Sequence, residues 1–283
     1  MLSRELASWL NVNGFNEPRK VSPVGGGSIS QSNLIEAHSG ARLFVKQLEA
    51  PPSRFFEAEM EGLSYLSAAC NLPVPEVFGY GTSFIAMEYL QPRQHHADFW
   101  ALLGELLACL HSQTREQFGF VNDNYCGLSV QTNAFHSCGY DFYTSQRLLP
   151  QAELAHHAKL LSSADYDNIL RVCELLPQRI PVQPASLLHG DLWSGNIHVS
   201  KVGEPVFIDP AVYYGWAEMD LAMTQLFGGF PAQFYQAYSS VRPLDADWRG
   251  RIPLYNLYPL LNHLNLFGGS YLEDIRTILA RFA

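Results

Sequence analysis

Residues 187–200 read Leu-Leu-His-Gly-Asp-Leu-Trp-Ser-Gly-Asn-Ile-His-Val-Ser, and residues 205–209 read Pro-Val-Phe-Ile-Asp. Asp191, Asn196 and Asp209 are single polar residues beside apolar runs of strand length, a pattern that predicts a short β segment with polar ends. Residues 201–204, Lys-Val-Gly-Glu, have the composition of a turn, and Asn196 and Asp209 lie equally far from its midpoint. The sequence therefore predicts a β-hairpin that makes Asn196 and Asp209 neighbours at its open end.

These three polar side chains suit phosphoryl transfer. The amide oxygen of Asn196 and the carboxylate of Asp209 form a pair of hard oxygen ligands, which suits Mg²⁺ with phosphates completing its shell. Asp191 can approach the same point and orient an acceptor hydroxyl. The spacing Asp-x4-Asn, with a further Asp after a hairpin, is typical of protein-kinase-like phosphotransferases. It predicts Asp191 as the catalytic base and Asn196 and Asp209 as the metal ligands.

Such an enzyme also needs a cation on the α- and β-phosphates of ATP, and Lys46 is the candidate. Lys46 lies in an alternating apolar stretch that predicts a strand, and a predicted helix over residues 51–69 follows it. That helix carries Glu57, Glu59 and Glu61. Glu59 is the favoured partner of Lys46, because the apolar positions one and two turns later then face the core, and Glu57 and Glu61 remain open.

A glycine-rich turn precedes the Lys46 strand. Gly25, Gly26, Gly27 and Ser28 offer backbone amides without side-chain hindrance, which favours contact with the β- and γ-phosphate oxygens. No Gly-Lys-Ser/Thr follows, and the strand-then-helix setting of a dinucleotide fingerprint is lacking. A merely flexible turn is the alternative. The ordered combination of this turn with Lys46 and the polar residues of the hairpin favours phosphate binding.

The charge balance excludes several classes of partner. Asp and Glu number 27 against 18 Lys and Arg, which gives a formal charge of −9. Binding to nucleic acids requires a clustered cationic face, and the sequence contains no basic run. We therefore expect no nucleic acid and no anionic membrane surface as partner. A small anion stays possible, because a metal ion or a few backbone amides can hold it.

The sequence also indicates a compartment. Residues 1–14 form a short amphipathic stretch without the cationic start and continuous apolar core of a signal peptide. No apolar run approaches the ~18 residues of a transmembrane helix. The five Cys residues are odd in number and form no Cys-x-x-Cys, so neither a disulfide scaffold nor a zinc site is indicated. These features predict a soluble, cytoplasmic protein.

The order of the predicted elements indicates an α+β fold with two lobes. Strands and turns are predicted over 21–49, a strand over 84–87, and helices over 99–111, 150–177, 216–228, 231–239 and 253–265. A change in composition near residues 90–96, with Pro92 and two His, predicts a linker between the lobes. We expect a two-lobed protein-kinase-like fold, with a small β-rich nucleotide-binding lobe at 1–90 and a larger helical catalytic and substrate-binding lobe at 91–283.

Further motifs extend over the whole chain: Gly-Gly-Gly-Ser-Ile-Ser at 25–30, Phe-Glu-Ala-Glu-Met-Glu-Gly-Leu at 56–63, His-Gly-Asp-Leu-Trp-Ser-Gly-Asn at 189–196, Ile-Asp-Pro-Ala-Val-Tyr-Tyr-Gly at 208–215, Glu-Met-Asp-Leu-Ala-Met at 218–223, Phe-Gly-Gly-Phe-Pro at 227–231 and Leu-Asn-His-Leu-Asn-Leu-Phe-Gly at 261–268. With these motifs the chain resembles the fructosamine kinase, or ketosamine-3-kinase, family. That family is a branch of the protein-kinase-like fold close to the aminoglycoside phosphotransferases.

The resemblance implies ATP-dependent phosphorylation of the 3-hydroxyl of a ketosamine, such as a fructosamine or ribulosamine adduct, and hence a deglycation repair activity. It implies ATP and Mg²⁺ as cofactors and a small-molecule or protein-bound ketoamine as partner, with the sugar, the amine and the oligomeric state left open. Backbone groups of Glu88 and Leu90 match the hinge that bonds adenine. Two departures stand out: Ser28 replaces a common Cys, which gives no support to a redox switch, and residues 133–141 lack a usual Trp of the acceptor pocket.

The resemblance also assigns residues around the catalytic loop. Asp220 matches the acid that anchors the backbone of this loop, and His189 is interpreted as a scaffold that bonds the backbone. Trp193 and Tyr213 are candidates for stacking on a sugar ring or on the apolar arm of an adduct.

Three other functions remain as alternatives. The first is a kinase for another small hydroxyl acceptor, such as an aminoglycoside, choline or a pentose. The second is a metallohydrolase that uses His189 and Asp191, although the sequence lacks the additional His and Asp clusters of such sites. The third is an ATP-binding protein without catalysis, against which the retention of every catalytic element argues.

Overall fold

The computed structural model describes residues 2–25 and 29–283 and divides into two compact units. The first unit contains Met1–Phe99 and Gly195–Asp209, and the second contains Trp100–Ser194 and Pro210–Ala283. The chain thus returns to the first unit for the segment that carries the predicted hairpin. The lobe boundary at residue 90 stays a prediction.

The strands are β1 (Lys20–Pro23), β2 (Gln31–Glu36), β3 (Arg42–Gln47), β4 (Val77–Tyr80), β5 (Phe84–Glu88), β6 (Thr114–Arg115), β7 (Asn124–Cys126), β8 (Ser129–Gln131), β9 (Ala185–Leu188), β10 (Ile197–Val199), β11 (Pro205–Phe207) and β12 (Tyr213–Gly215). The α-helices are α1 (Arg4–Val12), α2 (Phe55–Cys70), α3 (Phe99–His111), α4 (Gly139–Phe142), α5 (Leu149–His157), α6 (Ser163–Arg179), α7 (Glu218–Leu226), α8 (Ala232–Val241), α9 (Trp248–Phe267) and α10 (Leu272–Phe282). A π-helix (Tyr143–Leu148) joins α4 to α5.

An antiparallel five-stranded sheet in the order β1-β2-β3-β5-β4 forms the centre of the first unit. Side chains alternate between its faces because a strand has a period of two residues. Leu43 and Val45 of β3 pack with Leu6 and Leu10 of α1 in one apolar cluster. The other face carries Ile85 against residues of α2. Alternation along β3 therefore places the next polar residue, Lys46, on the face that α2 covers.

The hairpin of β10 and β11 has a register one residue away from the predicted one. Its loop has three residues, 201–203, because Gly203 adopts a left-handed φ of 88° and closes the turn. Ile208 donates a backbone hydrogen bond to the carbonyl of Asn196 at 3.0 Å, so Asn196 lies opposite Ile208. The prediction that Asn196 and Asp209 are equidistant from the turn is wrong by one position, and Asp209 follows directly after the last bonded residue.

The second unit is mainly helical. The helix predicted over 150–177 is two helices, because Lys159 adopts a left-handed φ of 61° and Ser162 starts α6 with a capping box. The amphipathic helix α10, which the sequence analysis did not predict, packs against α6 and α9. A three-stranded sheet in the order β12-β9-β6 contains the fully buried β9, and the loop that carries Asp191 begins directly after this strand. Among the described residues, no helix has both the length and the apolar character of a membrane span.

A proline inside α9 fixes a contact with the π-helix. Pro259 has no N–H, so the carbonyl of Tyr255 loses its usual partner within the helix. The hydroxyl of Tyr143 donates to this carbonyl at 3.1 Å and to that of Leu254 at 2.8 Å. Burial raises the pKa of Tyr143 well above its usual value, so this hydroxyl remains a donor at neutral pH. The segment of α9 that follows Pro259 is therefore held in place from the side.

Candidate active site

A buried lysine with two carboxylate partners is the centre of the site in the first unit. Lys46 on β3 is 9% exposed, and its Nζ donates to Oε1 of Glu59 on α2 at 2.6 Å. The same Nζ donates to Oδ1 of Asp209, which follows β11. The structure thus joins three of the residues that the sequence analysis selected, from three separate elements.

The two carboxylates keep this lysine charged. Burial alone would lower the pKa of Lys46, but the negative charges of Asp209 and Glu59 outweigh it and raise that pKa above its usual value. A permanent ammonium on a strand can contact phosphate oxygens as a point charge.

The other two glutamates of α2 have a different partner. Arg54 donates to Glu57 at 2.8 Å and to Glu61 at 2.7 Å, both near the surface. The three carboxylates therefore separate into a surface pair and one buried group. Of the three, Glu59 is the residue bonded to Lys46.

Asp209 has a left-handed backbone conformation. Its φ is 54°, in a region that few residues other than Gly, Asn and Asp adopt. Such outliers persist where the surrounding structure holds them, and they concentrate at functional sites. The side chain is 40% exposed, so it remains accessible although Lys46 bonds one of its oxygens.

Asn196 lies directly before β10, at the same open end of the hairpin as Asp209, and is buried. Asn196 and Asp209 contribute an amide oxygen and a carboxylate, and these oxygen donors fit Mg²⁺ or another hard divalent ion. Within the described residues, no group of three or more His, Cys, Asp or Glu side chains could hold a metal. A divalent ion here would take two protein ligands and complete its shell with phosphate oxygens, as Mg²⁺ commonly does.

The predicted nucleotide contacts are only partly within the described residues. Gly25 lies exposed in the loop between β1 and β2, and a side chain there would meet nothing within 4 Å. Gly26, Gly27 and Ser28 lie outside the described residues. Glu88 ends β5, and its amide donates to the carbonyl of Glu76 at 2.8 Å. The contact of Glu88 and Leu90 with adenine stays a prediction.

The loop that carries Asp191 in the second unit is held in place by a buried carboxylate. Asp220 on α7 is 1% exposed and accepts from the amides of His189 at 2.7 Å and Gly190 at 2.9 Å. Gly190 has a φ of 85°, and a Cβ there would lie 2.0 Å from the carbonyl oxygen of Ala211, so only glycine fits. The amide of Asp191 donates to Nδ1 of His189 at 3.3 Å. Asp191 thus follows a turn with fixed backbone bonds, and its side chain is partly exposed.

A histidine absent from the sequence prediction completes this support. His111 at the end of α3 is fully buried, with Nε2 3.1 Å from Asp220 and Nδ1 2.9 Å from the hydroxyl of Tyr238. Burial lowers the pKa of His111, and Asp220 opposes this only in part, so the ring is neutral. Nε2 then donates to the carboxylate and Nδ1 accepts from the hydroxyl. No spacing in the sequence connects His111 to the catalytic loop.

Tyr213 does not occupy the place that was predicted for it. Its ring is 1% exposed, and the guanidinium of the buried Arg147 lies 4.0 Å from its centroid. Burial raises the pKa of Tyr213 to about 12, and the side chain belongs to the core of the second unit. No free ring face is available for a sugar, so we do not retain a direct substrate contact for Tyr213.

Trp193 remains a candidate for substrate contact. Its side chain is partly exposed, and its amide donates to the carbonyl of Asp191 at 3.2 Å, which fixes a tight turn. The ring packs edge-on against Phe227, with 5.9 Å between centroids. An aromatic surface therefore begins two residues after Asp191.

The chain is similar to known proteins both in sequence and in structure. The family model described as fructosamine kinase matches residues 3–283. A relative from Enterococcus faecium, a "probable ketoamine kinase", is 40% identical over 278 residues, which cover 96% of this chain and 97% of the relative. The crystal structure of a "putative fructosamine-3-kinase" from Thermobifida fusca has a TM-score of 0.87 at 33% identity, with 99% of this chain and 100% of that chain covered.

A more distant solved structure shows the fold alone. The amicoumacin kinase in complex with AMP-PNP and Ca²⁺ has a TM-score of 0.56 at 17% identity, with 99% of this chain and 92% of that chain covered. Together with the closer structure it confirms the predicted α+β, protein-kinase-like fold class.

Proposed function

The chain belongs to the fructosamine kinase family, and we propose that it phosphorylates the 3-hydroxyl of ketosamines such as fructosamine or ribulosamine adducts as a deglycation repair activity. It is an ATP-dependent phosphotransferase with a hydroxyl acceptor. The proposal includes ketosamines on small amines and ketosamines on protein side chains.

One observation carries the assignment of the site: Lys46 is buried with a carboxylate from α2 and another from the segment after β11. Burying the charged Lys46 and Glu59 is costly, and an apolar replacement would often be as stable. Asp209 adds the cost of a left-handed backbone. Such costs are expected where a cation must be held for binding a polyanion.

We assign the contacts to ATP as follows. Lys46 binds the α- and β-phosphates, and Glu59 keeps its ammonium in position. The glycine-rich loop of Gly25, Gly26, Gly27 and Ser28 contributes backbone amides to the outer phosphates. The adenine bonds the backbone of Glu88 and Leu90.

Asn196 and Asp209 are the proposed ligands of Mg²⁺. When bound, the ion would neutralise the charge of the triphosphate. The acidic character of the chain does not oppose ATP binding under this proposal, because Asp209 shares its carboxylate with Lys46 and the metal.

Asp191 is the proposed catalytic residue. It accepts the hydrogen bond of the acceptor hydroxyl and so aims the oxygen at the transferring phosphoryl group. Little base strength is needed in a loose transition state, so the proton can leave late. The main contribution of the protein is position, and the bonds from His189 and Gly190 to Asp220 fix the loop that carries Asp191.

A screen of ADP release tests this function. The acceptors are ketoamines of four, five and six carbons, on small amines and on glycated protein, with an aminoglycoside, choline and free pentoses as competing acceptors. We expect ADP release that depends on ketoamine and on Mg²⁺, and a product whose NMR spectrum places the phosphate on O3. Turnover of a competing acceptor alone would assign the enzyme to another hydroxyl, and phosphate on a different oxygen would overturn the 3-hydroxyl.

A further inference from the structure

Three motifs that are distant in the chain meet in one aromatic cluster of the second unit. Trp193 of the catalytic loop contacts Phe227 at the end of α7, with 5.9 Å between centroids, and Phe227 contacts His263 of α9 at 5.1 Å. All three side chains are partly exposed. Of these three, only Trp193 is a candidate for substrate contact so far, which leaves two accessible rings without a role.

The protonation of His263 follows from its one hydrogen bond. Its Nδ1 lies 2.7 Å from the carbonyl oxygen of Pro259, which can only accept, so Nδ1 carries a proton. Burial lowers the pKa of His263, although the bond to Pro259 opposes this, and the ring is neutral at pH 7. Nε2 therefore keeps a free lone pair.

Nε2 accepts no hydrogen bond from residues 2–25 or 29–283. It is also not one of the fully enclosed polar atoms that lack a hydrogen-bond partner in this part of the chain. Phe267 and Tyr271 border the same ring at 5.5 and 5.2 Å. The result is an accessible hydrogen-bond acceptor set in an aromatic surface. An aromatic surface binds apolar groups and cations, whereas the acceptor selects an N–H or O–H donor.

The chemistry of a ketoamine fits this order of groups. Its nitrogen is attached to the sugar carbon next to the carbonyl, a short distance from the 3-hydroxyl, and as a protonated amine it is attracted to the face of a Trp ring. An aliphatic arm beyond the nitrogen would cover Phe227. A donor further along that arm would reach Nε2 of His263.

On the basis of the proposed function, we propose that Trp193, Phe227 and His263 form a carrier subsite, which binds the amine part of the ketoamine. The subsite takes an aliphatic arm that ends in an N–H donor, as in a lysine side chain with its α-amino or peptide N–H. Phe227 and His263 determine specificity for the carrier, and Asp191 acts on the sugar.

Three ketoamines of a single sugar test the subsite. One is formed on methylamine, one on butylamine and one on the ε-amino group of lysine, so that an arm and then a distal donor are added. For the wild type we expect kcat/KM to rise in that order, mainly through KM. His263→Phe keeps a ring and removes Nε2, and it should lower kcat/KM for the lysine adduct about tenfold more than for the butylamine adduct.

Two more variants separate the arm from the donor. Phe227→Leu should lower kcat/KM for both long adducts several-fold more than for the methylamine adduct. His263→Gln, which restores an acceptor near the position of Nε2, should recover part of the preference for lysine. Phe78→Leu, at an exposed ring in the other unit, serves as the control, and melting curves verify the fold of every variant.

The outcomes distinguish this proposal from the proposed function. If the wild type phosphorylates the ketoamines but each variant affects all three by the same factor, the carrier subsite is wrong and the function stands. If the wild type has no preference among the three carriers, the subsite is also wrong. If none of the three is phosphorylated while another hydroxyl acceptor is, both proposals fail.

Discussion

Lys46 and Asp209 are joined by a hydrogen bond although 163 positions separate them in the sequence. Glu59 completes the group with its bond to the same ammonium. One cation thus holds two carboxylates close together and offsets their mutual repulsion. The position of Asp209 therefore depends on Lys46.

Replacing Lys46 should remove productive ATP binding. For Lys46→Met we expect kcat/KM for ATP to fall by roughly 100-fold or more, because the cation on the phosphates is lost and Asp209 is left beside Glu59 without it. Steady-state kinetics with varied ATP measure this. Lys201→Met, at an exposed lysine paired with Glu88, is the control and should change the value less than about twofold. Unchanged ATP kinetics for Lys46→Met would exclude Lys46 from the site.

The metal ligands can be tested by titration. Asn196→Ala removes one of the two proposed oxygen donors, so we expect the Mg²⁺ concentration for half-maximal activity to rise by about tenfold, with the melting temperature in the absence of nucleotide changed only slightly. The activity is measured against Mg²⁺ at saturating ATP. Asn16→Ala, at an exposed asparagine before β1, is the matched control. An unaltered Mg²⁺ curve would show that Asn196 does not bind the metal.

Asp220, which anchors the loop of Asp191, should affect both the stability of the protein and kcat. The two oxygens of Asp220 accept from the amides of His189 and Gly190 and from His111, and Asp220→Asn replaces one of these oxygens by an NH₂ group that faces a donor. We expect a loss of about 2–3 kcal/mol in the free energy of unfolding and a fall of at least about tenfold in kcat, with KM for ATP nearly unchanged. Thermal melts and kinetics measure both. A variant with normal stability and normal kcat would contradict the anchoring role.

Lys46, Glu59 and Asp209 could each be selected from the sequence, because each lies in a recognisable local pattern. Lys46 lies in an alternating strand, Glu59 lies on the apolar side of α2, and Asp209 follows a hairpin. The hairpin register was wrong by one residue because composition does not distinguish a two-residue from a three-residue loop, and the conformation of Gly203 decides it.

Tertiary contacts explain what the sequence could not predict. His111 reaches Asp220 only when α3 and α7 pack together, and nothing local marks it. Tyr213 stands in a motif near the catalytic loop, yet it lies under Arg147, because burial depends on residues far away in the chain. Ser162, which caps α6, marks the break between α5 and α6 in the sequence. The apolar periodicity on both sides of it nevertheless favours one continuous helix.

The N-terminus of α6 should respond to pH. Arg276 of α10 bonds both oxygens of Asp165 at 3.0 Å, and these bonds, with those from Ser162, lower the pKa of Asp165 from 3.8 to about 2 against the effect of burial. Because the pKa of Asp165 is lower in the folded than in the unfolded protein, the charged carboxylate stabilises the fold above pH ~4. This stabilisation is lost as the pH falls through about 2.

Asp165→Asn should therefore cost about 1–2 kcal/mol at pH 7, and the difference from the wild type should shrink between pH 4 and pH 2. Thermal melts at pH 7, 4 and 3 measure this. Asp167→Asn, at an exposed position of the same helix, should show no such convergence. A constant difference at all pH values would assign the effect of Asp165 to packing rather than to its charge.

The proposed role of Asp191 separates catalysis from nucleotide binding. The ammonium of Lys46 donates to Glu59 and Asp209, so Asp191→Ala leaves both of these hydrogen bonds in place. We expect turnover to fall by at least about 1,000-fold, because the acceptor hydroxyl is no longer oriented, while the dissociation constant for ATP changes less than about threefold. ADP release and calorimetric titration measure the two quantities. The control is Asp123→Ala, whose carboxylate accepts from the amide of Asn133, and it should retain most of the turnover. Near-normal turnover of Asp191→Ala would exclude it as the catalytic residue, and a loss of ATP binding of the same size as the loss of turnover would assign it to the nucleotide instead.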